Sequence, residues 1–167
     1  MKELLLVRHA KSGFKDTDMP DIERPLENRG KNDASLIGKA VRKKGIKPDA
    51  VISSPAKRAL DTANSIAEHI RYPAEEIRID ATLYDSDAEG IVGMIRGLDN
   101  SLNSVMLFGH NPDFYDLAAI LIPRTIDKFP TCGIVCITFA VNSWREIAES
   151  AGELAFFIYP KQYRDKQ

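Results

Sequence analysis

An α/β fold, a three-layer sandwich with a mostly parallel central sheet and helices on both faces, is what the 167-residue sequence predicts. Three observations carry that reading. Short apolar runs, as expected of strands buried on both faces, alternate with stretches whose apolar residues recur at helical spacing. Such alternation over most of the chain implies parallel strands joined by crossover helices. With 44% hydrophobic and 28% charged residues, a chain of this length can bury roughly 70% of its unfolded surface. No internal repeat, low-complexity tract or linker interrupts the pattern, so a single domain over residues 1–167 is expected.

The elements follow in order. Glu3 to Val7 (ELLLV) is the first strand. A helix runs from about Lys31 to Lys44, with Ala34, Ile37 and Val41 on one stripe, and Gly45 stops it. Asp49 to Ile52 (DAVI) is the second strand. Ser53-Ser54-Pro55 reads as a helix-start signal, a capping hydroxyl followed by proline, and Ala59, Ala63, Ile66, Ala67 and Ile70 repeat behind it. Ile77 to Ile79 is a weak strand. Ala88, Ile91, Val92, Ile95 and Leu98 mark a helix, and Ser104 to Phe108 (SVMLF) another buried strand. A helix carrying Phe114, Leu117, Ala118 and Leu121 follows Gly109-His110-Asn111-Pro112. Gly133 to Val141 and Glu153 to Tyr159, with Trp144 to Ala148 between them, read as two edge strands that close the sheet.

Ala10 to Gly30 shows no clear element. Loops longer than about 12–15 residues in compact domains are usually functional or disordered, and Phe14, Ile22 and Leu26 favour an ordered active-site wall here over the alternative, a mobile surface loop.

No stretch approaches the roughly 18 apolar residues of a membrane span, and Met1-Lys2-Glu3 leads into only a short apolar run, so a soluble, cytoplasmic protein is expected. The net charge of −1 argues against bulk nucleic-acid binding. It conceals a split: residues 1–60 carry 14 Lys+Arg against 8 Asp+Glu, a net +6, whereas residues 61–167 carry 9 against 16, a net −7. A positive N-terminal third suits a site for an anionic group, although solvated faces such as Arg42-Lys43-Lys44 supply part of it. Cys132 and Cys136, four apart in a strand-like segment, stand roughly 13 Å apart at strand rise, too far for a disulfide. They read as core residues of a reduced compartment.

In a parallel sheet, ligands bind past the carboxyl ends of the strands, where helix N-termini favour anions. This chain places Arg8-His9-Ala10-Lys11-Ser12 after the first strand, Ser53-Ser54-Pro55-Ala56-Lys57-Arg58 after the second, and Gly109-His110-Asn111-Pro112 after the fourth. Arg58 falls in the first turn of its helix, where the macrodipole disfavours cations, so an anion is expected to compensate it. Arg8 has an alternative in a salt bridge to Asp16 or Asp21. His69, near a helix end, reads as a C-terminal cap or surface residue without chemistry.

Other catalytic patterns fail. There is no G-x-G-x-x-G, and Gly38-Lys39 lacks the earlier glycine of a phosphate loop because residue 33 is Asp. A cysteine phosphatase needs an Arg six residues after the thiol, where this chain has Thr138 and Asn142. There is no G-x-S-x-G, and no His pair or carboxylate cluster has metal-ligand spacing.

The ordered set Arg8-His9, Ser53-Ser54-Pro55 with Arg58 and Thr62-Ala63, and Gly109-His110 resembles the histidine phosphatase (phosphoglycerate mutase-like) superfamily. Arg8-His9-Ala10-Lys11-Ser12, Arg24-Pro25-Leu26 with Arg29-Gly30, Pro48-Asp49, Gly109-His110-Asn111-Pro112 and Pro130-Thr131-Cys132-Gly133 resemble its SixA-type phosphohistidine phosphatase branch. The resemblance spans nearly the whole chain and implies a phosphoglycerate mutase-like fold. It implies that His9 is the nucleophile in a phosphate pocket of Arg8, Arg58 and His110. Lys11, Ser12 and Asn111 are further candidates for binding phosphate or substrate. Ala10 stands where the superfamily usually has Gly, and no insertion supplies the usual carboxyl proton donor, for which Asp85 in Leu83-Tyr84-Asp85 is the nearest candidate.

The expected activity is a metal-independent phosphatase with no cofactor. It would act on a phosphorylated protein, such as a histidine-phosphorylated signalling domain, with neither nucleic acid nor membrane as partner. The alternatives are a phosphatase or mutase of small phosphate esters, and a non-catalytic phosphate-recognition module.

Overall fold

The computed structural model describes residues 1–13 and 18–164. Phe14 and Asp16, invoked above for the loop and for Arg8, lie outside the described residues. Six strands form one sheet: β1 (Lys2–Arg8), β2 (Ala50–Ser53), β3 (Arg78–Ile79), β4 (Ser104–Gly109), β5 (Ile134–Phe139) and β6 (Glu153–Ile158). Their order is β3-β2-β4-β1-β5-β6. The strands from β3 to β1 pair in parallel, while β5 runs antiparallel to both β1 and β6. Of the two strands expected at an edge, only β6 lies there. β5 is interior, and the two-residue β3 forms the other edge.

The strand pleat sorts the core into two layers, because successive side chains point to opposite faces. Leu5, Val7, Met106, Phe108 and Cys136 face α1 (Asn28–Lys43) and α2 (Lys57–Ile70), meeting Ile37 and Val41 from one helix and Ala63 and Ile66 from the other. Their neighbours Leu4, Leu6, Val105, Leu107 and Ile137 face the opposite layer. There α3 (Thr82–Asp85), α4 (Ala88–Arg96) and α5 (Asp113–Leu121) supply Leu83, Ile91, Ile95, Phe114 and Leu117. A short α6 (Lys161–Arg164) ends the described chain, its Arg164 bonded through Nε and Nη2 to the buried Asp33 of α1.

Several elements differ from the sequence reading. α1 starts at Asn28, three residues before Lys31, and ends as expected where Gly45 adopts φ +74°. α2 starts only at Lys57; its N-cap is Ala56, with no side-chain hydrogen bond. The Ser54 hydroxyl instead accepts the Ala56 N–H at 3.1 Å, outside the helix. His69 is not a cap, for its ring nitrogen meets Ser35 Oγ of α1 at 3.1 Å. Cys132 precedes β5 rather than lying in it, at φ +58°. Both cysteines are buried free thiols, as expected. The 10–30 segment is ordered where described: Ser12 and Leu26 form an antiparallel bridge, and Asp21–Glu23 a 3₁₀ turn. Leu26 is buried, but Ile22 is exposed and does not pin the segment.

Candidate active site

Because β1, β2 and β4 are parallel, their carboxyl ends share one edge of the sheet, and the site is built there. His9 is the first residue past β1. Its backbone N–H donates to the Gly109 carbonyl at 3.1 Å. The next N–H, of Ala10, donates to Thr62 Oγ1 at 3.0 Å, and the Thr62 hydroxyl donates to the Arg58 carbonyl at 2.7 Å. These bonds tie the end of β1 to β4 and to the first turns of α2. The His9 Nδ1 lies 2.7 Å from the Ala10 carbonyl. A carbonyl can only accept, so Nδ1 carries the proton and Nε2 presents a lone pair. His9 is pushed down to about 4, first by burial, with Arg58, Arg8 and Arg24 adding to the effect and the Ala10 bond opposing it. It is therefore a neutral imidazole at pH 7.

His110 follows β4, its ring centroid 5.1 Å from that of His9. Its Nε2 is 2.7 Å from Ser54 Oγ. The Ser54 oxygen also accepts Ala56 N–H, and with its own proton donated to Nε2 the His110 proton sits on Nδ1. Burial, then His9 and Arg58, push His110 down to about 3.

Among the described residues Arg8 pairs with no loop carboxylate. Its Nη1 donates to the Phe129 carbonyl at 2.9 Å, and Asn111 Nδ2 donates to the same oxygen at 3.0 Å. Arg58 is buried, and both its terminal nitrogens go to Asp21, Nη1 to the carbonyl at 2.8 Å and Nη2 to Oδ2 at 3.0 Å. Among the described residues, the buried side-chain polar atoms without a partner are Arg8 Nε, Arg58 Nε, His110 Nδ1 and Asn111 Oδ1. Every one belongs to a residue singled out from sequence. A buried, unbonded N–H costs about 1–3 kcal/mol, so three such donors beside His9 are what an oxyanion would satisfy.

Three participants were missed. Asp21 accepts from Arg58, from Arg24 Nε at 3.0 Å and from the Tyr84 hydroxyl at 2.7 Å. Tyr84 first, then Arg58 and Arg24, hold the Asp21 carboxyl well below the usual range, so it is an acceptor here and a poor proton donor. The Tyr84 ring stands edge-on to His110, 5.6 Å between centroids. Thr62 appears in the sequence motif without a role, and its Oγ1 is what fixes the His9–Ala10 backbone. The sequence offers Asp21 only as a partner for Arg8, and in a loop without periodicity no signal pairs it with Arg58.

The remaining candidates are not all at the pocket. The buried Ser12 accepts from Arg24 Nη1 at 3.1 Å, inside the loop wall. The carbonyl of the half-buried Lys11 accepts Glu27 N–H at 2.9 Å. Asp85 is exposed at the end of α3, next to Tyr84. Among the described residues no three His, Cys, Asp or Glu side chains gather to hold a metal ion.

A neutral histidine lone pair among cationic N–H donors, past the ends of parallel strands, is an arrangement suited to phosphoryl transfer, in which guanidinium groups would offset the charge. The chain belongs to the histidine phosphatase superfamily (branch 1), whose family model matches residues 4–102. That stretch includes Arg8, His9 and Arg58 and ends before His110. Members of the superfamily are phosphatases and mutases. An uncharacterized protein of Mycobacterium tuberculosis is 30% identical over 165 residues, covering 93% of this chain and all of that one. The fold matches the protein histidine phosphatase SixA complexed with tungstate, with a TM-score of 0.82, 21% identity, and 96% and 98% of the two chains covered. It also matches SixA from Agrobacterium tumefaciens, with a TM-score of 0.79, 24% identity, and 95% and 98% covered.

Proposed function

We propose that this protein is a metal-independent phosphatase that forms a covalent phosphohistidine on His9 and acts on phosphohistidine in proteins. The observation that supports it most directly is the set of buried, unpartnered donors of Arg8, Arg58 and His110 around a neutral His9. Phosphoryl transfer asks the protein mainly for an in-line nucleophile and for charge stabilisation on the equatorial oxygens. His9 Nε2 supplies the first and the three N–H groups the second. The SixA likeness, to a structure that carries a tetrahedral oxyanion, agrees with this assignment.

The substrate follows from proton balance. A phosphorylated imidazole whose ring is protonated leaves as neutral imidazole. His9 Nε2 forms a bond to phosphorus while the substrate P–N bond breaks, and His9, with Nδ1–H held on the Ala10 carbonyl, becomes the protonated phosphoimidazole. Water then breaks that P–N bond, releasing dihydrogen phosphate and neutral His9. No external acid enters either step. An alkyl ester would need one, and the pocket's nearest carboxylate, Asp21, is held ionised, which leaves Asp85 as the donor for that poorer reaction.

The test is release of phosphate from a His-phosphorylated protein against a panel of sugar and nucleotide phosphates, with and without EDTA. The reading requires a higher kcat/KM for the phosphohistidine protein, indifference to EDTA, acid-labile phosphate trapped on the enzyme, and loss of both turnover and trapping in His9→Ala. Activity in His9→Ala sinks the covalent mechanism. Preference for a sugar phosphate returns the chain to the small-ester class.

A further inference from the structure

Beside the active site, at the β6 edge of the sheet, lies a groove of about 670 Å³ between the 124–131 segment, β6 and α6. Its lining includes Arg29, Arg124, Lys128, Lys161 and Arg164 against a single carboxylate, Asp127. Among the described residues that is a net +4, in a chain whose total is −1. Three of these cations are used by nothing in the mechanism and are exposed: Arg124, Lys128 and Lys161. Arg29 and Arg164 are partly neutralised by Asp33, at 3.8 and 2.7 Å. Beneath the charges run apolar surfaces of Leu154, Phe157 and Tyr159.

Topology puts this groove next to the pocket. β5 runs antiparallel to β1, so its beginning lies at the carboxyl end of β1, with Ile134 opposite Val7. β6 in turn ends there, with Ile158 opposite Ile134. The segment leading into β5 has two sides. The Phe129 carbonyl holds Arg8 and Asn111 in the pocket, while the next two residues, Pro130 and Thr131, line the groove. Arg29 completes the connection from α1, because a β-carbon on its neighbour Gly30 would overlap the Lys11 carbonyl, two residues from His9.

We infer that the groove docks an acidic segment of the protein substrate, with glutamate or aspartate side chains on the cationic rim and an aromatic or aliphatic side chain on the floor, while the phosphorylated residue reaches His9. This rests on the reading of the site as one for phosphorylated protein. Charge complementarity selects the occupant: potentials of opposite sign steer encounter and set register. A cavity of this size takes a few side chains, not a folded face.

The experiment uses the full chain, the triple variant Arg124→Glu/Lys128→Glu/Lys161→Glu, and the milder Arg124→Gln/Lys128→Gln, with thermal melting to establish that each folds. The probe is a short fluorescein-labelled peptide rich in Glu and Phe, followed by anisotropy. The wild type binds it, more weakly as salt rises. The triple variant binds at least about tenfold more weakly, and the Gln pair falls between, since each lost charge contact contributes a fraction of that factor. In turnover, the triple variant raises KM for a phosphohistidine protein and leaves kcat/KM for an aryl phosphate within about twofold, because a small ester reaches the pocket without the groove. Equal peptide binding by wild type and variants overturns the inference, as does groove-dependent binding of a single-stranded oligonucleotide more tightly than the peptide. Groove-dependent peptide binding without phosphohistidine turnover upholds the docking surface and sinks the proposed substrate instead.

Discussion

Two buried histidines held neutral should make this protein lose stability in mild acid, and the size of the loss can be worked from the structure. His9 and His110 are each less than a tenth exposed and are pushed down to about 4 and about 3. In the unfolded chain both titrate near 6.5. Above that pH neither state binds the protons and the two groups contribute nothing to pH dependence. Below it the unfolded chain takes them up while the folded one does not, so stability falls with pH until the folded values are reached. At pH 5 each group has forfeited roughly 1.5 pK units, or about 2 kcal/mol, and the pair about 4 kcal/mol relative to pH 8. Against a typical net stability of about 5–15 kcal/mol that is a large fraction.

The assay is urea unfolding followed by fluorescence of Trp144, the single tryptophan, which is fully buried. It is run at pH 8, 6.5 and 5 on the wild type and on His9→Gln/His110→Gln. The double variant should lose the steep dependence over this window while keeping His69, so the difference between the two proteins isolates the pocket. A wild-type loss below about 1 kcal/mol between pH 8 and pH 5 would refute the reasoning. An equal loss in the double variant would refute it too, by tracing the acid sensitivity to other groups.

Four further outcomes are expected. Arg58→Ala or His110→Ala should lower kcat on an aryl phosphate by about 10²–10³, the usual loss for one preorganised transition-state donor; less than about tenfold in both would move the pocket elsewhere. Asp21→Asn should tighten inhibition by inorganic phosphate severalfold, because Asp21 takes both terminal nitrogens of Arg58, which a phosphate must share or displace; an unchanged or weaker Ki would mean that Asp21 serves to orient Arg58. Gly30→Ala should destabilise by about 1–3 kcal/mol in urea, since its β-carbon has no space against the Lys11 backbone. Asp85→Asn should slow hydrolysis of alkyl phosphates much more than that of phosphohistidine, and equal losses would remove Asp85 from the proton-donor role.

What the sequence made legible was set by periodicity. Strands and helices with clean apolar spacing were located to within a few residues, because burying both faces of β1 or β4 leaves no alternative to continuous apolar runs such as Leu4 to Val7. Start signals were less dependable. Ser54 looks like a helix cap, yet its hydroxyl is drawn to His110 and Ala56, and α2 begins three residues later with its first turn uncapped. Lys2 looks like a charged leader but is fully buried, its Nζ donating to the Asn100 and Leu102 carbonyls at 2.7 and 2.9 Å. Carbonyl partners at a separation of about a hundred residues leave no local trace.

The site divides along the same line. Arg8, His9, Arg58 and His110 could be named because each sits at a strand or helix end, where the elements alone dictate convergence. Asp21 could be offered only to Arg8, since a loop carboxylate meets Arg58 only through the fold of the 18–26 segment. Its position also alters the role the sequence assigned to Arg58. A cation in the first turn of α2 does need a compensating anion, but the chain supplies one itself, and what stays unpartnered on Arg58 is Nε. The incoming phosphate therefore meets a guanidinium already neutralised, next to a carboxylate fixed as an anion by Tyr84 and Arg24. For a dianionic alkyl ester that carboxylate is a repulsive neighbour. A phosphoimidazole whose ring is protonated offsets part of that repulsion with its own positive charge before it leaves as neutral imidazole, so the residue that weakens phosphate binding penalises this substrate less.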